Sequence, residues 1–92
     1  MTSERIAEFR DEINGLNVKL VELLARRVEV ARRIGEAKRE RNLPIVDRAR
    51  EGKVYERVRE LALERGLDPE GVEKLFREIV DLCTKAQLEE SA

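Results

Sequence analysis

Histidine and tryptophan are absent from this chain of 92 residues, and cysteine occurs once, as Cys83. A lone cysteine without histidine supplies neither a zinc site nor a paired cysteine and histidine nucleophile. It also allows no internal disulfide, so we expect a reducing cytoplasm as the location. Any chemistry must therefore use arginine, lysine, carboxylate and neutral polar side chains, and we expect neither a metal nor a cofactor.

The chain also lacks a long apolar run and an excess of charge of one sign. No stretch is long enough to span a bilayer, and no basic start precedes an apolar segment, so we expect neither a membrane anchor nor an export signal. Charged residues make up 42% of the chain, but 19 basic residues nearly cancel 20 acidic ones. This balance gives no field that would hold nucleic acid or an anionic membrane.

Proline and glycine are few, and their positions divide the chain. Pro44 ends a first helix because it lacks an N–H and disfavours helical backbone at Leu43. Gly66 suits the left-handed residue after a second helix, and Asp68 followed by Pro69 suits the start of a third. No stretch alternates apolar and polar residues as a strand does. We predict one all-α domain over residues 1–92, with helices at about 4–41, 48–65 and 69–89.

The first helix carries an apolar stripe at heptad-like spacing, interrupted by one charge. One heptad position holds Ile6, Ile13, Leu20, Arg27 and Ile34, and the position three residues later holds Phe9, Leu16, Leu23, Val30 and Ala37. A permanently charged guanidinium among apolar neighbours is too costly to bury alone. Arg27 therefore indicates either an anionic partner or a polar group that fixes helix register, and the residues alone leave both open.

The length of the first helix predicts a partner chain. Residues 4–41 as one helix would extend roughly 57 Å, whereas a compact chain of this size has a radius of gyration of about 12 Å. The other helices can cover only part of the stripe, and a second copy of the chain is the usual solution. We therefore predict an intertwined homodimer.

Three further polar residues are placed to join Arg27. Lys38 lies about 16 Å further along the helix and about 20° round it, so both side chains can reach one small anion. Arg10 lies about 25 Å before Arg27 and about 100° round the helix, so it can share that ligand only across a dimer interface. Gln87, the only glutamine, extends the apolar stripe of the third helix, although a residue near a frayed end can face solvent.

Simpler explanations exist for most of the polar residues. Arg10 and Lys38 fit solvated surface groups in a chain this rich in charge. Asp47 fits a helix N-cap, and Glu51 fits an acid near a helix N-terminus. Cys83 fits a small buried apolar residue. The spacing thus favours a basic pocket but does not say what enters it.

Several segments, taken in order and at helical spacing, match a known pattern. They are residues 9–13, 23–27 and 34–38 in the first helix, 44–47 with Arg50 and Glu51 at the start of the second, and 75–87 in the third. Together they resemble the all-helical chorismate mutase family, over nearly the whole chain. The resemblance implies a three-helix chain that dimerises by intertwining and has two equivalent active sites.

The reaction implied by the resemblance is the Claisen rearrangement of chorismate to prephenate, an isomerase step toward phenylalanine and tyrosine. It needs no proton transfer and no covalent intermediate, which fits a chain without histidine. Arg27 and Arg10 of the partner subunit would hold the two substrate carboxylates. Lys38 and Gln87 would be the catalytic residues, donating hydrogen bonds to the ether oxygen as its negative charge grows.

The remaining substrate-binding residues also follow from the resemblance. Glu51 would accept a hydrogen bond from the ring hydroxyl, and Asp47 and Arg50 would line the pocket. Cys83 stands where relatives often have a small hydroxyl residue, and a thiol is a weaker donor.

Two other functions remain open from the sequence. One is an isochorismate pyruvate lyase on the same scaffold, which would need a similar cationic pocket and no cofactor. The other is a non-catalytic helical dimerisation module in which Arg27 fixes the register.

Overall fold

The computed structural model describes residues 2–89, and the regular secondary structure within them is entirely α-helical. The helices are α1 (Thr2–Glu40), α2 (Arg48–Glu64) and α3 (Pro69–Leu88), with no strand in the described part. The prediction of a three-helix, all-α chain is confirmed. None of the described helices combines the length and apolar content needed to cross a membrane. Residues 1 and 90–92 of the predicted domain lie outside the described residues.

Helix α1 ends at an asparagine whose backbone is in the left-handed conformation, two residues before Pro44. Asn42 has φ of 55°. Its N–H donates to the carbonyl of Arg39 at 3.1 Å, and the N–H of Leu43 donates to the carbonyl of Lys38 at 2.8 Å. These two hydrogen bonds form a Schellman motif. Asn42 therefore stops the helix, and Pro44 only prevents it from resuming.

Helix α2 ends with the same motif at Gly66, as the sequence predicts. Gly66 has φ of 70°, a conformation that costs glycine little because it has no Cβ. Its N–H donates to the carbonyl of Leu63 at 3.2 Å, and the N–H of Leu67 donates to the carbonyl of Ala62 at 2.8 Å.

Helices α2 and α3 begin at aspartates that cap their first turns. Asp47 accepts a hydrogen bond from the N–H of Arg50 at 3.0 Å. Asp68 accepts from the N–H groups of Glu70 and Gly71 at 3.3 Å and 3.2 Å. Both predicted N-caps are confirmed, and they fix where the chain turns back on itself.

Helix α3 lies between the other two. It packs against both α1 and α2, whereas within residues 2–89 no Cα atom of α1 lies within 8 Å of a Cα atom of α2. The buried core is made of small side chains, namely Ala31, Val58, Ala62, Cys83 and Ala86. A space therefore remains between α1 and α2, and α3 closes one side of it.

The N-terminal half of α1 projects from the rest of the molecule. Residues 3–23 are all exposed, including the apolar stripe from Ile6 to Leu23. The molecule measures 61 × 32 × 15 Å and has a radius of gyration of 17.1 Å. A compact chain of this length would have a radius of about 12 Å, so the helix adds length without burying its own apolar side.

Candidate active site

A cavity of about 380 Å³ lies between the C-terminal half of α1, the start of α2 and the end of α3. Its polar lining consists of Arg27, Lys38, Asp47, Arg50, Glu51, Cys83, Thr84 and Gln87. Its apolar lining consists of Val30, Ala31, Ile34, Ile45, Val54 and Val80. This size and this mixture are typical of a site for a small organic molecule.

Helical spacing places these side chains together. Helix α1 contributes Arg27, Ala31, Ile34 and Lys38, and α3 contributes Val80, Cys83, Thr84 and Gln87. Residues three or four apart share one face of a helix, so each set forms one wall.

Arg27 is half-buried in the wall formed by α1. Its Nη1 donates a hydrogen bond to Cys83 Sγ at 2.9 Å. Within residues 2–89 no carboxylate pairs with it. Sulfur is a weak acceptor, so the other guanidinium N–H groups remain for a ligand. The planar fork suits a carboxylate, which it can bind in a bidentate way.

Lys38 and Gln87 form a pair of donors beside each other. Lys38 Nζ donates to the carbonyl of Ile45 at 2.7 Å and to Gln87 Oε1 at 3.3 Å. An ammonium group has three donors, so one is left for a ligand. Gln87 uses its oxygen toward Lys38, which leaves its NH₂ group as a donor. The sequence allowed Gln87 to face solvent, but it is half-buried and lines the cavity.

The start of α2 gives the cavity an acidic side. Glu51 is half-buried, and its Oε1 is 3.4 Å from Nη1 of Arg48. Asp47 caps the helix with its carboxylate while it lines the cavity, and Arg50 lines the cavity from an exposed position. The cations of α1 therefore face carboxylates across the cavity, an arrangement that suits an anionic ligand carrying a hydroxyl group.

Arg10 does not line this cavity. It is exposed on the projecting half of α1, 17 residues before Arg27, which is about 25 Å along the helix. Of the eight candidate residues from the sequence, the structure brings seven around one cavity and leaves Arg10 apart.

Residues 9–88 match the family model for chorismate mutase type II. The chain belongs to this family. The match spans every candidate residue from Arg10 to Gln87, and it confirms the resemblance carried by the sequence segments.

Curated members of the family differ in length. A chorismate mutase from Methanocaldococcus jannaschii is 32% identical over 78 residues, which cover 85% of this chain and 79% of the relative. Bifunctional chorismate mutase/prephenate dehydratases from Aquifex aeolicus and Escherichia coli K12 are 36% and 37% identical over 83 and 82 residues. Those residues cover 87% and 88% of this chain but only 23% and 21% of the bifunctional relatives.

One polar cavity residue of this chorismate mutase type II chain was not predicted from the sequence. Thr84 stands beside Cys83 and lines the cavity with its neighbours on α3. Its position four residues after Val80 and three before Gln87 is a signal that could have found it, because such residues share a helix face. Within residues 2–89 no three histidine, cysteine, aspartate or glutamate side chains are grouped closely enough to hold a metal ion.

Proposed function

We propose that this chain catalyses the rearrangement of chorismate to prephenate. The observation that carries the proposal is the meeting of Arg27, Lys38 and Gln87 around one cavity in a chain of the chorismate mutase type II family. The M. jannaschii relative, named chorismate mutase, is matched over most of both chains. The chain is then an isomerase of aromatic amino acid biosynthesis.

The first contribution to catalysis is to hold the substrate in a reactive shape. Chorismate carries two carboxylates, and Arg27 binds one of them with the donors that Cys83 leaves open. Holding the enolpyruvyl arm over the ring removes conformational freedom before the barrier is reached, and orientation of this kind can lower a barrier substantially. The apolar residues of the cavity exclude water from the folded substrate.

The second contribution is electrostatic. As the carbon–oxygen bond breaks, negative charge grows on the ether oxygen. Lys38 and the NH₂ group of Gln87 donate hydrogen bonds to that oxygen, and their mutual contact at 3.3 Å holds both donors in place beforehand. Donors that are already oriented need no rearrangement when the charge appears, so they stabilise the transition state more than the substrate.

The acidic side of the cavity binds the ring. Glu51 accepts a hydrogen bond from the ring hydroxyl, and Arg50 and Asp47 complete this side of the pocket. Cys83 contributes chiefly through Arg27, since its thiol is a weak donor for a substrate carboxylate.

The working enzyme is an intertwined homodimer in this proposal. The exposed apolar side of α1 needs a partner, and a second copy can cover it by twofold symmetry. Arg10 of the partner subunit then supplies the second carboxylate ligand, because Arg10 lies about 25 Å along the helix from the cavity of its own chain. A reducing cytoplasm remains the proposed location, because the chain has one cysteine.

The test is direct turnover. Purified protein is given chorismate and isochorismate separately, and prephenate and pyruvate are measured. We expect prephenate from chorismate. Release of pyruvate from isochorismate without any prephenate would favour the lyase on the same scaffold, and no turnover by the intact oligomer would favour a dimerisation module.

A further inference from the structure

A second face of α1, next to the cavity wall, holds the end of α3. Arg32, Gly35 and Arg39 lie three and four residues apart, so they share one face of the helix. Each follows directly after a cavity residue of α1, namely Ala31, Ile34 or Lys38. We call Arg32, Gly35 and Arg39 the α3 clasp.

Arg39 binds the main chain of Gln87. Its Nη1 donates to the Gln87 carbonyl oxygen at 2.6 Å. That carbonyl belongs to the last turn of α3, where carbonyl groups have no partner within the helix and carry the negative end of the helix dipole. A cation is well suited to this position, and a charge-assisted hydrogen bond is stronger than a neutral one. Arg39 does not line the cavity, so it acts on a ligand only through Gln87.

Gly35 allows α1 and α3 to approach each other at the same residue. A Cβ atom at position 35 would lie 2.7 Å from the carbonyl oxygen and 2.9 Å from the Cα of Gln87. Both are main-chain atoms, so α3 would have to move away. Arg32 adds a weaker, half-exposed contact, in which its Nε donates to the Glu89 carboxylate at 3.1 Å.

We propose that Arg39, together with Gly35, is a positioning residue that holds the last turn of α3 so that the Gln87 amide stays beside Lys38 and donates into the cavity. The inference rests on the proposed function, because it concerns the same pocket. The contact of 3.3 Å between Lys38 and Gln87 depends on this placement.

The kinetic test compares Arg39→Gln and Arg39→Lys with the wild type. Arg39→Gln should lower kcat by about tenfold or more with little change in KM, since displacing a donor by a fraction of an ångström weakens transition-state stabilisation. Arg39→Lys should recover most of the loss, because lysine keeps both the positive charge and a side chain long enough to donate to the same carbonyl, whereas glutamine is neutral and shorter. Arg33→Gln is the matched control, since Arg33 is exposed on the same helix and pairs only with Glu29 within the described residues.

A double variant separates positioning from a general loss of stability. If Arg39 acts through Gln87, then adding Arg39→Gln to Gln87→Ala should not lower kcat further. Full additivity of the two losses would overturn the proposal, and so would an unchanged kcat in Arg39→Gln.

Hydrogen exchange tests the clasp without any turnover. Amides in the last turn of α3 should exchange faster in Arg39→Gln than in the wild type or Arg33→Gln, while exchange in α2 stays the same. Unchanged exchange at the end of α3 would overturn the proposal. If the wild type makes no prephenate, the proposed function fails, and exchange still decides whether Arg39 holds α3.

Discussion

At the scale of single residues, Arg27 is a charge without an ionic partner within residues 2–89. It is the one charge in the apolar stripe of α1, and the structure places it on the cavity wall. Its partner within the described residues is the thiol of Cys83, at 2.9 Å. Because a thiol is a weak acceptor, it neutralises little of the guanidinium charge. Most of the charge and most of the N–H donors of Arg27 therefore remain available to an anionic ligand.

Replacing Arg27 by alanine should lower kcat/KM by about 100-fold or more, since two charge-assisted hydrogen bonds together contribute about 3 kcal/mol. Steady-state kinetics with chorismate measures this, and Arg33→Ala serves as the control on an exposed part of the same helix. Sedimentation should show that the variant keeps its oligomeric state. A change of oligomeric state with activity retained would instead indicate that Arg27 fixes helix register.

At the scale of helices, the two contacts of α3 differ in kind. The close approach of α1 to α3 depends on Gly35, whereas the contact between α2 and α3 includes a network of ion pairs. Glu73 of α3 receives hydrogen bonds from Arg77, on its own helix, and from Arg59 of α2, at 3.0 Å each. The core between these helices is made of small side chains. The contact of α1 with α3 and that of α2 with α3 should therefore each be sensitive to single substitutions.

Gly35→Ala and Gly52→Ala should change stability in opposite directions. Both glycines lie within helices, where alanine is intrinsically more stable by about 0.5–1 kcal/mol. At Gly52 a Cβ would meet nothing within 4 Å, so the gain should appear. At Gly35 the added Cβ would collide with the main chain of Gln87. This collision should outweigh the helix-forming advantage of alanine, so the variant should be less stable by about 1–2 kcal/mol. Urea unfolding of both variants measures the difference, and equal stabilisation would show that α3 is not held at this point.

Glu73 should make stability depend on pH in the acid range. The hydrogen bonds from Arg77 and then Arg59 lower the pKa of Glu73 from its usual value of 4.5. A lowered pKa in the folded state adds stability that is present above pH 4.5 and is lost as the pH falls through the lowered pKa. Urea unfolding of the wild type and Glu73→Gln should therefore differ near neutral pH and converge in acid. If the difference in free energy of unfolding between the two proteins stayed constant across this pH range, the ionised carboxylate of Glu73 would not be the source of the stability.

At the scale of the whole molecule, the projecting half of α1 leaves apolar surface that the chain does not bury. A chain that measures 61 Å in its longest direction and exposes Phe9 and Ile13 by 53% and 55% buries little apolar surface by itself. Proposed dimerisation covers this surface and brings Arg10 of the partner subunit to the cavity. Stability and catalysis then depend on the same interface.

Mixing two inactive variants tests whether Arg10 acts in the partner's site. Arg10→Ala chains and Arg27→Ala chains should each be nearly inactive. After joint unfolding and refolding, about a quarter of the wild-type activity should return, because half of the dimers are mixed and each has one intact site. Mixing Arg27→Ala with Lys38→Ala is the matched control and should stay inactive, since both residues line the cavity of one chain. No recovery in the first mixture would show that Arg10 acts in the site of its own chain, and full activity of Arg10→Ala alone would place Arg10 outside the site.

The helices and seven of the eight polar cavity residues could be predicted from the amino-acid sequence alone. Asp47, Asp68 and Gly66 act locally on their own turns, so they could be read without knowing the fold. Arg27 and Lys38 could be placed on one side of α1 because helical spacing is regular. The family could be recognised because its segments keep their order along the chain.

Which groups meet between helices depends on how the helices pack, and this could not be predicted from the sequence. The contact of Arg39 with the Gln87 carbonyl, the close approach at Gly35 and the bond from Lys38 to the Ile45 carbonyl join residues whose separation in space depends on how the helices pack. The left-handed Asn42 also escaped the sequence reasoning, since asparagine adopts that conformation less regularly than glycine. Helical periodicity fixes the direction of a side chain, whereas packing fixes its distance from the next helix.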